Sequence, residues 1–211
     1  MIEELLKKYE TRKLEIKKRL DEFRKVKDKS EEELFAELSF CLCTPQSKAT
    51  ICWNAVSSLV KNNLLYTGSA EQIKPFLNAV RFNENKSKYI VDARKLFSNG
   101  SSLNLKNTIN TLNNSNELRE WFVENVKGMG FKEASHFLRN IGIGNDLAIL
   151  DTHILKNLKK YGVLGEIPKV LNRKNYLEIE NRMKRFAESI GIPFDELDLL
   201  LWAEETGFIF K

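Results

Sequence analysis

Apolar residues recur every three or four positions along almost the entire chain, which is the spacing of one face of an α-helix. No segment shows the alternation of apolar and polar residues that marks a half-buried strand. Ser30 followed by Glu33 is a capping-box start, and Asp151 and Asn172 precede further helical runs. The pattern therefore predicts an all-α fold without internal repeats.

Turn residues set the expected boundaries of the helices. Breaks are predicted at Thr44-Pro45-Gln46, at Ser98-Asn99-Gly100 and in the polar stretch 101–116, which is expected to be a loop flanking a short helix. The helical segments between these breaks are expected over residues 2–28 (as one or two helices), 31–43, 49–59, 86–97, 121–126, 132–140, 176–190 and 194–205.

The composition is that of an ordinary globular protein, with 211 residues, 42% of them hydrophobic and 30% charged. A net charge of +5 is compatible with a polyanionic partner but does not require one. Cys41, Cys43 and Cys52 form no Cys-x-x-Cys pair and lie far from both histidines, which disfavours a zinc or iron–sulfur site. Cys41 and Cys43 are predicted to pack as small apolar residues in a reducing compartment. The lack of a signal-peptide core or a long apolar run favours a cytoplasmic protein with no membrane partner.

Gly128 and Gly130 separate two helical patterns within the segment Asn125–His136. Glycines at this spacing allow a tight turn with positive φ angles and let the backbone approach a ligand closely. The start of the following helix presents unpaired amides and the positive end of its dipole, which suits a phosphate. A plain turn that packs two helices and binds nothing would use the same residues.

The segment Lys127–Ala134, followed by Leu150-Asp151-Thr152-His153, closely resembles the helix-hairpin-helix DNA glycosylase superfamily. The similarity is greatest to the second, archaeal-type family of 8-oxoguanine DNA glycosylase/AP lyases. The segments that carry it are Leu42–Ala49, Asn85–Ala93, Val126–Gly142 and Leu197–Lys211.

This resemblance spans essentially the whole chain and implies two helical subdomains flanking a DNA-binding cleft. The expected central subdomain covers roughly residues 31–149, with the hairpin at 125–140. Residues 1–30 together with 150–211 are expected to form the second subdomain, and residues 1–211 to act as a single catalytic unit.

Lys132 and Asp151 are the catalytic residues that the resemblance implies. An amine attacks only when neutral, and the first turn of a helix, beside Phe131, favours that form through the helix dipole and desolvation. Lys132 would then displace the base, form a Schiff base with the sugar and allow strand cleavage by β-elimination. The Asp151 carboxylate would stabilise positive charge on the sugar ring. On the residues alone, Lys132 could be a surface lysine and Asp151 an ordinary helix cap.

Further site residues follow from the same resemblance. Gln46 is expected to fill the gap left by a flipped base and Phe82 to act as a wedge, although the first could be a plain turn residue and the second a core residue. Trp202 and Lys211 are expected to line the base pocket, the alternative being a core tryptophan and a frayed terminus. His136 is expected either to contact DNA or the carboxylate network, or to be packed. The residues expected to grip the DNA backbone are Lys127, Gly128, Gly130, Lys86 and Lys48.

The implied partner is double-stranded DNA containing oxidised guanine, bound by a monomer. No cofactor is expected: no cysteine follows Cys52, which disfavours an iron–sulfur cluster, although hairpins of this superfamily can hold a monovalent cation. Two other functions stay open. One is a glycosylase/lyase acting on oxidised pyrimidines, and the other is a non-catalytic helix-hairpin-helix module that only binds DNA.

Overall fold

A computed structural model of the protein describes residues 1–100, 102–112 and 114–211, and it confirms the all-α prediction. The helices in this part of the chain are α1 (Ile2–Arg24), α2 (Glu31–Cys43), α3 (Ala49–Lys61), α4 (Leu64–Thr67), α5 (Ala70–Ile73), α6 (Asn83–Leu96), α7 (Leu105–Thr111), α8 (Ser115–Asn125), α9 (Phe131–Asn140), α10 (Thr152–Lys160), α11 (Arg173–Ile190) and α12 (Phe194–Thr206). Short 3-10 turns cover Val26–Asp28 and Lys74–Leu77, and β1 (Ser98–Asn99) pairs antiparallel with β2 (Ser102–Leu103).

The helix starts lie where the capping residues predict them. Ser30 Oγ accepts from the Glu33 amide at 3.2 Å, and the Glu33 carboxylate accepts from the Ser30 amide. Asp151 and Asn172 cap α10 and α11 through their side chains. Each cap satisfies amides that the first helical turn leaves unpaired, which fixes the start locally.

The polar stretch 98–116 contains more regular structure than predicted. It forms the small β-hairpin, α7 and the first residues of α8, which begins at Ser115 rather than Trp121 because the Asn114 side chain caps it. Ser101 and Asn113, which fall within the predicted loop, lie outside the described residues.

The buried apolar residues form two clusters. The central cluster draws its buried members from residues between Leu34 and Leu147, and the terminal cluster from residues 5–23 and 148–209. We propose that they are the cores of two subdomains, joined at the two places where the chain passes from one cluster to the other, between Phe23 and Leu34 and near residue 148. The predicted burial of Cys41 and Cys43 is confirmed, Cys52 is buried as well, and burial raises the pKa of Cys43 to about 12.

The backbone of residues 148–150 is held by three side chains. Glu180 accepts from the amide of residue 148 at 2.7 Å, and Tyr176 donates its hydroxyl to the carbonyl of the same residue at 2.7 Å. The carboxylate of Asp198 accepts from the amide of residue 149 at 3.2 Å. Because Asp151 follows directly, α11 and α12 fix the position of its backbone.

Every helix in the described chain is too short or too polar to cross a lipid bilayer. Over the same residues, His, Cys, Asp and Glu side chains nowhere gather in groups of three that could hold a metal ion.

Candidate active site

The hairpin between α8 and α9 turns on Gly128, whose φ is +86°. A Cβ there would lie 2.2 Å from Cδ2 of Tyr89, so the tyrosine ring packs directly beneath the turn. Gly130 has φ −101° and an extended ψ, so the expectation of positive φ is right for Gly128 and wrong for Gly130. The Gly130 amide donates to Glu133 Oε2 at 3.2 Å, and a phosphate bound here would share or replace that acceptor. Lys127 is exposed on the same turn.

Lys132 lies in the first turn of α9 with only 21% of its side chain exposed. Its Nζ donates to Thr44 Oγ1 at 3.0 Å and lies 3.6 Å from Glu133 Oε1. The Thr44 hydroxyl donates in turn to the carbonyl of Cys41 at 2.8 Å. Since its one hydrogen is used there, Thr44 can only accept from Lys132.

Asp151 is half-buried at the start of α10. Its Oδ1 accepts from the amides of His153 and Ile154, both at 2.9 Å, so one carboxylate oxygen forms the cap. The two hydrogen bonds to Oδ1 hold the side chain in place, and the second carboxylate oxygen, Oδ2, takes no part in the cap. No hydrogen bond or ion pair joins Lys132 to Asp151 in the described chain; the two residues begin successive helices.

Gln46 and Phe82 share an uncommon backbone conformation. Both lie in the left-handed region, with φ of 55° and 59°, and both are exposed. Non-glycine residues adopt this region at a cost and cluster at functional sites. Ser47 Oγ accepts from the Arg81 amide at 2.9 Å, so one hydrogen bond joins the two turns that carry them. Phe82 is not a core residue, because 52% of it is exposed.

The C-terminal residues pack against the fold, as their apolar character predicts. Ile209 is buried in the terminal cluster and Phe210 packs against the central one. Lys211 Nζ pairs with the carboxylate of Glu37 and lies 3.3 Å from the centroid of the Trp53 ring. Burial lowers the pKa of the Lys211 ammonium, and the nearby Glu37 carboxylate acts in the opposite direction.

Trp202 lies near this tail, half-buried on α12, with its ring edge-on to Phe208 at 5.6 Å. Neither Glu37 nor Trp53 was expected at the site. The signal for Glu37 is its place among the mostly apolar residues 34–43 of α2, where a charged residue requires a buried partner.

His136 is packed in the core and is 5% exposed, with its ring edge-on to Phe40 at 5.4 Å. Burial, reinforced by the charges of Arg139 and Lys132, holds its pKa well below the ordinary value. A contact with a DNA backbone would require the ring to leave this position.

Lys86 departs furthest from expectation. It was predicted to grip DNA, but it is 3% exposed and its ammonium points into the protein, so that prediction is wrong. Lys48, by contrast, is exposed beside Gln46.

The glycine hairpin, the lysine at the next helix start and the capping aspartate match a known family across most of the chain. The sequence model of the family described as 8-oxoguanine DNA glycosylase matches residues 16–192. The chain belongs to this family.

Relatives agree with that membership over their full length. An 8-oxoguanine DNA glycosylase/AP lyase from Fusobacterium nucleatum is 49% identical over 209 residues, covering 99% of this chain and 96% of the relative. The crystal structure of the Methanocaldococcus jannaschii 8-oxoguanine glycosylase/lyase with a 15mer DNA containing 8-oxoguanine is 37% identical, with a TM-score of 0.88 over 98% of this chain and 99% of that one. The 8-oxoguanine DNA glycosylase of Thermotoga maritima is 35% identical, with a TM-score of 0.85 over 100% and 98%.

Proposed function

We propose that this protein is a monomeric, bifunctional repair enzyme that excises 8-oxoguanine from double-stranded DNA and then cleaves the strand at the abasic site. The geometry of Lys132 carries the proposal. Its amine is largely buried and held by a hydroxyl that can only accept, directly after a hairpin suited to binding a DNA backbone. A module that only binds DNA has no need for such an amine.

Lys132 is the proposed nucleophile. The neutral amine attacks C1′ of the damaged nucleotide, forming a C–N bond while the bond from C1′ to the base breaks and the base leaves with the electron pair. The C1′–O4′ bond then breaks, O4′ takes a proton from the nitrogen and the departing base takes one from water, which leaves the lysine linked to C1′ as a protonated Schiff base. This linkage acidifies C2′, so that removal of a C2′ proton expels the 3′ phosphate, and hydrolysis then releases the lysine.

Asp151 is the proposed electrostatic partner. As the bond to the base breaks, positive charge develops on the sugar, and a fixed carboxylate stabilises it. The cap through Oδ1 holds the group rigid and leaves the second oxygen available for this task. Lys132 supplies the attacking electron pair and Asp151 supplies the countercharge, so we propose no cofactor.

Borohydride trapping on duplex DNA carrying a single lesion tests the proposal. The wild-type protein is expected to form a covalent adduct with 8-oxoguanine DNA, and Lys132→Gln none. Lys17→Gln is the matched control, because Lys17 is exposed on α1. Asp151→Asn keeps the cap but removes the charge, so base excision should fall about a hundredfold or more while thermal stability changes little. A preformed abasic site has no base to release and should be cleaved with a smaller loss.

The outcome separates the remaining functions. Absence of a wild-type adduct on any lesion, with duplex binding intact, would favour the binding module. An adduct that forms faster with oxidised pyrimidines than with 8-oxoguanine would favour the pyrimidine enzyme. An undiminished adduct with Lys132→Gln would remove that residue from the mechanism.

A further inference from the structure

A buried lysine lies beneath the turn between α2 and α3. Lys86, on α6, is 3% exposed, and its Nζ donates to the carbonyls of Cys43 at 2.8 Å and Pro45 at 2.7 Å and to Ser47 Oγ at 3.3 Å. These three acceptors match the three hydrogens of an ammonium. They are all neutral, and no carboxylate in the described chain forms an ion pair with Lys86.

Burying an ammonium without a counterion is costly, so the arrangement demands an explanation beyond packing. Burial lowers the pKa of Lys86, and the charge of Lys132 acts in the same direction. A methionine would fill the same space without that cost. What the ammonium adds is a fixed geometry for the carbonyls that follow the end of α2.

That geometry matters because residues 43–47 carry two groups already described. Thr44 binds Lys132 Nζ at 3.0 Å, and Gln46 projects from the surface in a left-handed conformation. Ser47, itself in contact with Lys86, accepts from the Arg81 amide at 2.9 Å, one residue before Phe82. The buried Lys86 side chain thus connects Thr44, which binds the proposed nucleophile, to both turns that are expected to probe the DNA.

We propose that Lys86 is a positioning residue, which holds the turn 43–47 so that Thr44 seats Lys132 while Gln46 and Phe82 keep a fixed relative placement. The inference rests on the proposed function. A shift of about 1 Å at a reacting group can lower the rate roughly a hundredfold, so loss of the ammonium should slow chemistry at temperatures where the fold is intact.

The test compares Lys86→Met with Lys88→Met, an exposed lysine on the same helix. Single-turnover excision of 8-oxoguanine and cleavage of a preformed abasic site are measured well below the melting temperature of each variant. Lys86→Met should slow both reactions by roughly 10- to 100-fold. Its affinity for undamaged duplex should change less than about threefold, because the side chain does not reach the surface. Lys88→Met should match the wild type.

Ser47→Ala is the second variant, chosen because it removes the link between the turns and leaves both carbonyl contacts of Lys86 in place. Base excision should fall about tenfold while abasic-site cleavage falls less, because an abasic site has no base to unstack. Fluorescence of 2-aminopurine beside the lesion should report slower extrusion in the same variant.

Each result is decisive in one direction. Wild-type rates in folded Lys86→Met would overturn the inference. A loss confined to DNA affinity would also overturn it and would indicate instead that Lys86 contacts the DNA backbone. If the wild-type protein itself formed no trapped adduct, the proposed function would fail first. If the wild type were active and Lys86→Met were equally active, only the positioning role of Lys86 would be wrong.

Discussion

The ion pair between Arg119 and Glu180 offers a quantitative test of how the segment before Asp151 is held. Their side chains are 1% and 3% exposed, and the guanidinium donates to the two carboxylate oxygens at 2.6 and 3.0 Å. Glu180 also accepts from the amide of Ala148 at 2.7 Å. The pair therefore connects α8 and α11 to the segment that leads to Asp151.

Removing either charge alone leaves the other buried without its main partner. Arg119→Met leaves a buried carboxylate with the Ala148 amide at 2.7 Å and only the more distant Lys184 ammonium, at 3.9 Å, as a countercharge, and Glu180→Gln leaves a buried guanidinium without a countercharge. Each should lower the free energy of unfolding by about 3–5 kcal/mol. At roughly 2–4 °C per kcal/mol for a chain of this size, the melting temperature should fall by about 6–20 °C.

The double variant Arg119→Met/Glu180→Gln keeps an acceptor for the Ala148 amide and carries neither charge. Its loss should be smaller than the sum of the two single losses by about 2 kcal/mol or more. Urea unfolding followed by circular dichroism measures all four proteins. Single losses below about 1 kcal/mol, or losses that simply add, would refute the argument that these charges depend on each other.

Three further results are expected. His136 is neutral in the fold but protonates in the unfolded chain near pH 6.5, so stability should fall below that pH by up to about 1.4 kcal/mol per unit. Urea unfolding between pH 5 and 7 should show a flatter profile for His136→Phe. Gly128→Ala must adopt a φ of +86° and displace the Tyr89 ring, whereas Gly162→Ala meets a similar φ of +77° with open space around it. Thermal unfolding and duplex binding should therefore show a larger loss for Gly128→Ala, by about 1–3 kcal/mol in stability. Lys211→Met should leave Glu37 buried without its partner and lower stability by about 1–3 kcal/mol in urea unfolding, a loss that adding Glu37→Gln should reduce.

The helices and their starts could be predicted because their signals are local. Ser30, Asp151 and Asn172 each cap a helix through amides two or three residues away, a spacing that is visible in the sequence. Phe131–Asn140 is found within one residue of the expected helix for the same reason. The hairpin in the polar stretch had no such signal, because four strand residues carry no alternation to detect.

The interior of the site could not be predicted because its contacts span long distances in sequence. Lys86 looks like any of the surface lysines until Cys43 and Pro45 are brought to it by the packing of α6 on α2. The pairing of Glu37 with Lys211 joins residues from opposite ends of the chain. Family resemblance located Lys132 and Asp151, but the hydroxyl of Thr44 that seats the amine became visible only in the folded protein.

The left-handed backbone at Gln46 and Phe82 has a consequence for attempts to engineer this protein. Each position is under a steric penalty of roughly 1–2 kcal/mol, and glycine would relieve the part of it that exceeds glycine's own entropic cost in the unfolded chain. A selection for heat resistance alone would therefore favour replacing both residues with glycine. Directed evolution of a more heat-resistant variant should instead score lesion removal in every round, because the substitutions that relieve this strain also remove the two side chains proposed to probe the DNA.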